Sequence, residues 1–423
     1  MSELNSGNPL IDQAKQAMRA DDAPGMRALL GAHPELKSRI NDPIGPFDSP
    51  PITNVRSQAM LDVLLAAGAD LNAKSRWWAG GFGLLHVAEP ELAAYAIKRG
   101  AIVDAHAAAR LGMLDELTRL VRANPQVVHA AGGDGQTPLH FASTVAVAEF
   151  LLDQGANIDA RDVDHESTPA QYMIRDRQEV VRYLVGKGCA TDILMASALG
   201  DLDLARKHLD AQPACVRLRV TRECFPMRNP HAGGAIYQWT LGWYVFAHQV
   251  ARDFQHEDVL RLLMERSPAD LRLIVACWLQ DESLFNAAFA ESGRDPSAWV
   301  KTHQAELVNA ARNNNLPAVR LMLTAGLGVD ACGQHGGTPL HWAAFHGNAA
   351  MTDLLLTHRP ALDLKDQDFN ATPLGWAIYG SEHGWHCRTG NYPAVVDSLL
   401  RAGSPREPAG GTESVREVLQ RYH

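Results

Sequence analysis

Two stretches of this 423-residue chain concentrate side chains able to do chemistry. The first is Tyr379-Gly380-Ser381-Glu382-His383-Gly384-Trp385-His386-Cys387-Arg388-Thr389-Gly390. Imidazoles beside a thiol suit zinc or iron. His383-x-x-His386 matches no zinc pattern, however, and no nearby Asp/Glu pair completes a facial triad, so no metal and no cofactor is expected. The second runs from Val220 to Trp243. Arg222, Arg228 and His231 supply anion-binding donors, and Tyr237, Trp239 and Trp243 supply flat apolar area. Together they can grip a carboxylate, a phosphate or an acidic peptide. The competing reading is a structural plug over a weak junction. A smaller aromatic group, Trp77, Trp78 and Phe82 between glycines, either folds back over short repeats or forms a binding tip. Nucleophile, metalloprotease, dinucleotide and kinase signatures are all missing from the sequence, and Gly233-Gly234 lacks the Lys-Ser/Thr of a phosphate loop.

Composition bounds what can position these residues. With 39 Lys plus Arg against 48 Asp plus Glu, the net charge is −9, which argues against a general nucleic-acid binder. The apolar fraction of 46% is ample for a large core. The stretch Met1 to Ala20 has no apolar run of the length a secretory signal needs, and no long apolar run anywhere predicts a membrane span. Six scattered cysteines without C-x-x-C pairs fit reduced thiols and a cytoplasmic location.

Internal repetition supplies the scaffold. Thr137-Pro138-Leu139-His140-Phe141-Ala142 and Thr338-Pro339-Leu340-His341-Trp342-Ala343 share T-P-L-H-x-A, with weaker copies at Thr168-Pro169 and Thr372-Pro373-Leu374-Gly375-Trp376-Ala377, 31 and 34 residues further on. A leucine pair before glycine recurs at Leu64-Leu65, Leu151-Leu152 and Leu399-Leu400. Two landmarks sharing one period of about 33 residues make the chain resemble the ankyrin-repeat family.

The resemblance implies an all-α solenoid of stacked helix-turn-helix repeats with short β-hairpin fingers, about twelve repeats in all. It also implies a structural hydrogen bond for His140 and His341, and left-handed helix caps at Gly68, Gly155, Gly188, Gly326 and Gly403. The clearest repeats fall at 130 to 190 and 300 to 405. Residues 1–219 form the amino-terminal repeats, 220–299 degenerate central repeats carrying the inserted loop, and 300–423 the carboxy-terminal repeats with a capping helix. Phe345 and His346 occupy positions that commonly face the groove in this family, within reach of His383 and His386. The reading is a monomeric, cytoplasmic binding protein with a protein partner, or a small anionic ligand, in its groove and inserted loops. Its site is Arg222, Arg228, Trp239, Trp243, Phe345, His346, His383, Trp385, His386 and Arg388. The alternative is an enzyme or small-molecule or metal-binding protein with a pocket under the 220–243 and 379–390 loops.

Overall fold

The computed structural model describes residues 8–291 and 297–422; the first seven residues of the stretch read for a signal, and His423, lie outside them. Among the described residues the regular secondary structure is helical, with no sheet. The chain's contacts divide it into two compact units, residues 1–199 with 220–242, and residues 200–219 with 243–423. Among the described residues, no helix is long and apolar enough to cross a membrane.

Each clear repeat is built by the same local chemistry. In the second unit Thr338 is extended at the N-cap, and Pro339 occupies the first turn, where a missing N–H costs nothing. The Thr338 backbone N–H donates to His341 Nδ1 at 3.1 Å, so the ring's other nitrogen carries the proton and donates to the Ala371 carbonyl at 3.2 Å. His140 repeats this in the first unit, between the Thr137 N–H at 3.1 Å and the Ser167 carbonyl at 3.2 Å. Each histidine thus ties one helix start to the next finger, 30 and 27 residues away.

Outer helices end as the leucine-glycine landmark requires. Gly155 (φ +88°) and Gly403 (φ +96°) take the left-handed conformation that closes Val145–Asp153 and Tyr392–Arg401. Gly68, Gly188 and Gly326 do the same. Leu139, Leu151 and Leu184 of the first unit are fully buried, as are Leu340, Leu355, Leu374 and Leu399 of the second.

The β-hairpin fingers do not form. Among the described residues the only bridges are two isolated ones, Lys74 with Gly83 and Arg219 with Phe246. The reason lies in where finger backbone groups find partners. The Asp162 carboxylate accepts the N–H groups of His165 (2.8 Å) and Ser167 (2.7 Å), and the Val163 N–H donates to the Asp134 carbonyl of the preceding finger at 2.7 Å. In the second unit Asp366 accepts from Asp368, Phe369 and Ala371, and the Gln367 N–H donates to the His335 carbonyl at 2.8 Å. Side chains and neighbouring tips satisfy what a strand ladder would otherwise satisfy.

Candidate functional site

Consecutive finger tips and the helix starts behind them enclose one pocket in each unit. In the second unit a cavity of about 360 Å³ is walled by Trp342, Phe345, Trp376, Trp385, Phe369 and Tyr379. Trp342 and Trp376 lie four residues after the threonine of their repeats, so they face each other across one repeat spacing, with rings 5.0 Å apart and edge to face. Trp376 is fixed by its indole N–H, which donates to Asp366 at 2.9 Å. Trp385 stacks on Trp342 at 5.8 Å and meets Phe345 edge-on at 5.4 Å. Trp342 is buried, whereas Trp385, Phe369 and Tyr379 are 60 to 65% exposed and form the lip.

The segment carrying Trp385 differs locally from the loop read in the sequence. The inner helix Pro373–His383 continues through Tyr379 and His383, and only the residues beyond it turn. Gly380 permits this, since a Cβ there would sit 2.6 Å from the Phe345 carbonyl oxygen. The His383 ring lies tilted 4.7 Å from that of Tyr379, whereas the His386 ring lies 5.1 Å from that of His346. His346 is buried and donates from Nε2 to the Arg312 carbonyl at 2.8 Å. Burial pushes its pKa down to about 4, which keeps it neutral and suits it to that role.

Behind the pocket lies a charge the sequence reading did not single out. The Arg312 guanidinium carbon is 5.4 Å from the ring centres of both Trp342 and Trp385, 5.5 Å from Trp243 and 5.8 Å from Tyr244. Its Nε donates to Gln334 at 2.9 Å, and among the described residues no carboxylate forms an ion pair with it. Burial holds its pKa below the ordinary arginine value, the direction of an incompletely compensated cation.

In the first unit the cavity is larger, about 650 Å³. Phe47 and Trp77 pack edge to face at 5.0 Å on one side, Trp239 stands 69% exposed on another, and Asp134, Asp164, His165 and Tyr172 belong to the same lining. The inserted stretch 220–242 shapes this cavity by extending the row of tips. The Gly233 N–H donates to the Asp164 carbonyl at 2.8 Å, and the His165 ring meets the Gly234 carbonyl at 2.7 Å. Ala235, Ile236 and Tyr237 are buried, with the Tyr237 hydroxyl 3.0 Å from Asp192. One donor atom from each of Asp134, Asp164 and His165 lies within 4.8 Å of the others. Burial first, then the charges of Asp164 and Asp162, push the Asp134 carboxyl up to about 6, against the opposing pull of His165.

The structure therefore distributes the ten sequence-selected residues. Phe345, His346, Trp385 and His386 come together, and Trp243 joins them through Arg312. His383 and Arg388 are exposed outside the pocket. Arg222, Arg228 and Trp239 belong to the first unit; Arg222 and Arg228 are exposed, and the Arg228 backbone N–H donates to the Glu166 carboxylate at 2.9 Å. Sequence reasoning passed over Arg312, Trp342 and Trp376, although the aromatic residue four positions after each threonine was a usable signal. It also passed over Asp134, Asp164 and His165, which are about 30 residues apart and become neighbours only through the repeat register.

The chain matches a family model of ankyrin repeats (3 copies) over residues 105–195 and 307–403. A search of the curated proteins finds no match.

Proposed function

The chain is an ankyrin-repeat protein, and we propose that its second unit binds a partner polypeptide carrying a carboxylate beside a large apolar side chain. Ankyrin repeats generally serve protein–protein interaction, which makes a protein the natural occupant. The observation that carries the finer reading is Arg312, held among four aromatic rings with Gln334 on Nε and no carboxylate partner among the described residues. The apolar side chain enters between Trp342, Trp376 and Trp385, and the carboxylate approaches the guanidinium. A charge-assisted hydrogen bond out of water contributes about 1.5 to 3 kcal/mol, and arginine's fork suits a carboxylate in two-point contact.

This keeps Phe345, His346, Trp243, Trp385 and His386 as groove residues and gives Arg312 the anion-binding role first read at Arg222 and Arg228. His383 and Arg388, exposed beside the pocket, are placed to touch the partner's flanks. The first unit's Trp239 and its inserted loop serve a separate pocket. Among the described residues the cysteines form no disulfide, and a cytoplasmic location is part of this reading.

A peptide array probed with the intact protein tests the reading. Binders are expected to be enriched in Asp or Glu adjacent to Trp, Phe or Leu, and Arg312→Gln should weaken them about 10- to 100-fold without changing the helical content. An array showing no such pairing, or equal binding by the variant, refutes it.

A further inference from the structure

We propose that Asp134, Asp164 and His165 bind a divalent transition-metal cation at the floor of the first unit's cavity. This site lies in the first unit and is independent of the peptide reading of the second.

The state of the histidine comes first. His165 Nδ1 lies 2.7 Å from the Gly234 carbonyl oxygen. A carbonyl only accepts, so Nδ1 carries the hydrogen, and a ring that holds only that one presents a lone pair at Nε2. The residue is 91% buried, and Nε2 makes no hydrogen bond; it faces Asp164 Oδ2 at 3.7 Å. A ring nitrogen opposite a carboxylate oxygen at that separation is matched either by a proton on Nε2, as an ion pair, or by a metal cation between them. A backbone carbonyl fixing one ring nitrogen so that the other can ligate is the usual support of a metal-bound histidine.

Charge gives the second argument. Asp134 and Asp164 line the cavity, and no lysine or arginine does. The neighbouring Asp162 is already engaged by the His165 and Ser167 N–H groups and by the Tyr172 hydroxyl at 2.9 Å. Asp164 is buried, and its Oδ1 receives only the Gly233 N–H at 3.1 Å.

The third argument is internal to the chain. The same two finger positions in the second unit carry His335 and Asp368, whose Nδ1 and Oδ2 are 2.6 Å apart, with Phe369 packed 5.5 Å from the His335 ring. That pair satisfies itself. In the first unit an aspartate replaces the histidine and a histidine replaces the phenylalanine, so two acceptors and a lone pair converge where the second unit closes a hydrogen bond.

One imidazole and two carboxylates form a borderline donor set suited to Mn²⁺, Fe²⁺ or Zn²⁺ rather than Ca²⁺ or Mg²⁺. Bonds of about 2.1 Å require the donors to draw in slightly from their present spacing. Three protein ligands leave coordination positions open toward the cavity, where water or a ligand's oxygen completes the sphere between Trp77 and Trp239.

Titration of the full-length protein with Mn²⁺, followed by electron paramagnetic resonance of the free ion, tests the proposal. Mn²⁺ is chosen because the His383, His386 and Cys387 group favours zinc. One saturable site per chain is expected, together with a melting temperature raised relative to that in EDTA. Asp134→Asn and Asp164→Asn should each weaken binding at least about 10-fold while leaving the circular dichroism of the metal-free protein unchanged. If Asp164→Asn does not fold, Asp134→Asn decides, since that tip is partly exposed. Absence of saturable Mn²⁺ binding, or binding unaltered by Asp134→Asn, overturns the site and leaves an imidazolium–carboxylate pair in its place.

Discussion

The two finger pairs are one device with two outcomes. Asp162-Val163-Asp164-His165-Glu166-Ser167-Thr168-Pro169 and Asp366-Gln367-Asp368-Phe369-Asn370-Ala371-Thr372-Pro373 align without a gap. In both, the first aspartate organises the turn and fixes an aromatic residue of the following helix, Tyr172 in one and Trp376 in the other. In both, the sixth residue's carbonyl accepts from the preceding T-P-L-H histidine. The scaffold is shared, and the tips diverge: Asp134, Asp164 and His165 make one floor anionic, whereas His335, Asp368 and Phe369 leave the other aromatic and self-satisfied. Divergence falls where substitution does not disturb stacking, because tips project from the core while the anchoring aspartate does not.

The largest difference expected between the units is their response to acid. Burial holds His248 and His346 of the second unit at pKa values of about 4, and His140 of the first at about 4. Between pH 6.5 and 4 the unfolded chain takes up a proton at each position while the folded chain does not. Stability is therefore full above pH 6.5 and falls as pH drops, by on the order of 3 kcal/mol per group. Burial also lowers His341 in the second unit and His106 in the first, so with three such groups against two the second unit should unfold first in acid. Urea titrations at pH 7 and 4.5 followed by hydrogen exchange check this, and prior loss of the first unit would contradict it.

Next come the stacked leucines. Leu151→Ala and Leu340→Ala should each cost about 2 to 5 kcal/mol, since both side chains are fully enclosed. Exchange protection should fall mainly in the unit that carries the change; a uniform fall along the chain would mean the two units act as one cooperative block.

A smaller asymmetry separates the anchoring aspartates. Burial raises the Asp162 pKa, whereas at Asp366 the donated hydrogen bonds of Trp376 and the finger backbone outweigh burial and lower it. Ionised Asp366 thus contributes more to its turn than ionised Asp162 does. Asp366→Asn should cost about 1 to 3 kcal/mol and Asp162→Asn less, as read by denaturant midpoints at pH 7. Equal losses would mean the two turns are held alike.

How much of this was legible in the sequence follows from what each feature depends on. T-P-L-H and leucine-glycine are local signatures, and the caps, turns and histidine bonds they imply appear as read. The fingers were misjudged as hairpins because nothing local says that Asp162 and Asp366 will satisfy the backbone in place of a partner strand. Trp385 and His386 stood out because they lie in one unusual stretch, whereas the helix running on to His383 depends on Gly380 meeting Phe345 from another repeat. Arg312 was passed over because its aromatic neighbours come from three separate segments.

The finest test of the comparison transplants one tip chemistry onto the other finger pair. His335→Asp combined with Phe369→His would place two carboxylates and an imidazole at the second unit's tips, on the same turn geometry. Losing the His335–Asp368 hydrogen bond should cost only about 0.5 to 1.5 kcal/mol, because Asp368 is exposed and His335 only half-buried. In the first unit the Gly234 carbonyl from the inserted stretch orients the histidine, a support that the 366–373 turn does not itself supply. An unoriented imidazole samples rotamers and the wrong tautomer, so the transplant should bind Mn²⁺ at least about 10-fold more weakly than the first unit does. Measuring it in an Asp134→Asn background isolates the new site. Equal affinity would show that the tip residues alone suffice and that the 220–242 insertion does not orient the site.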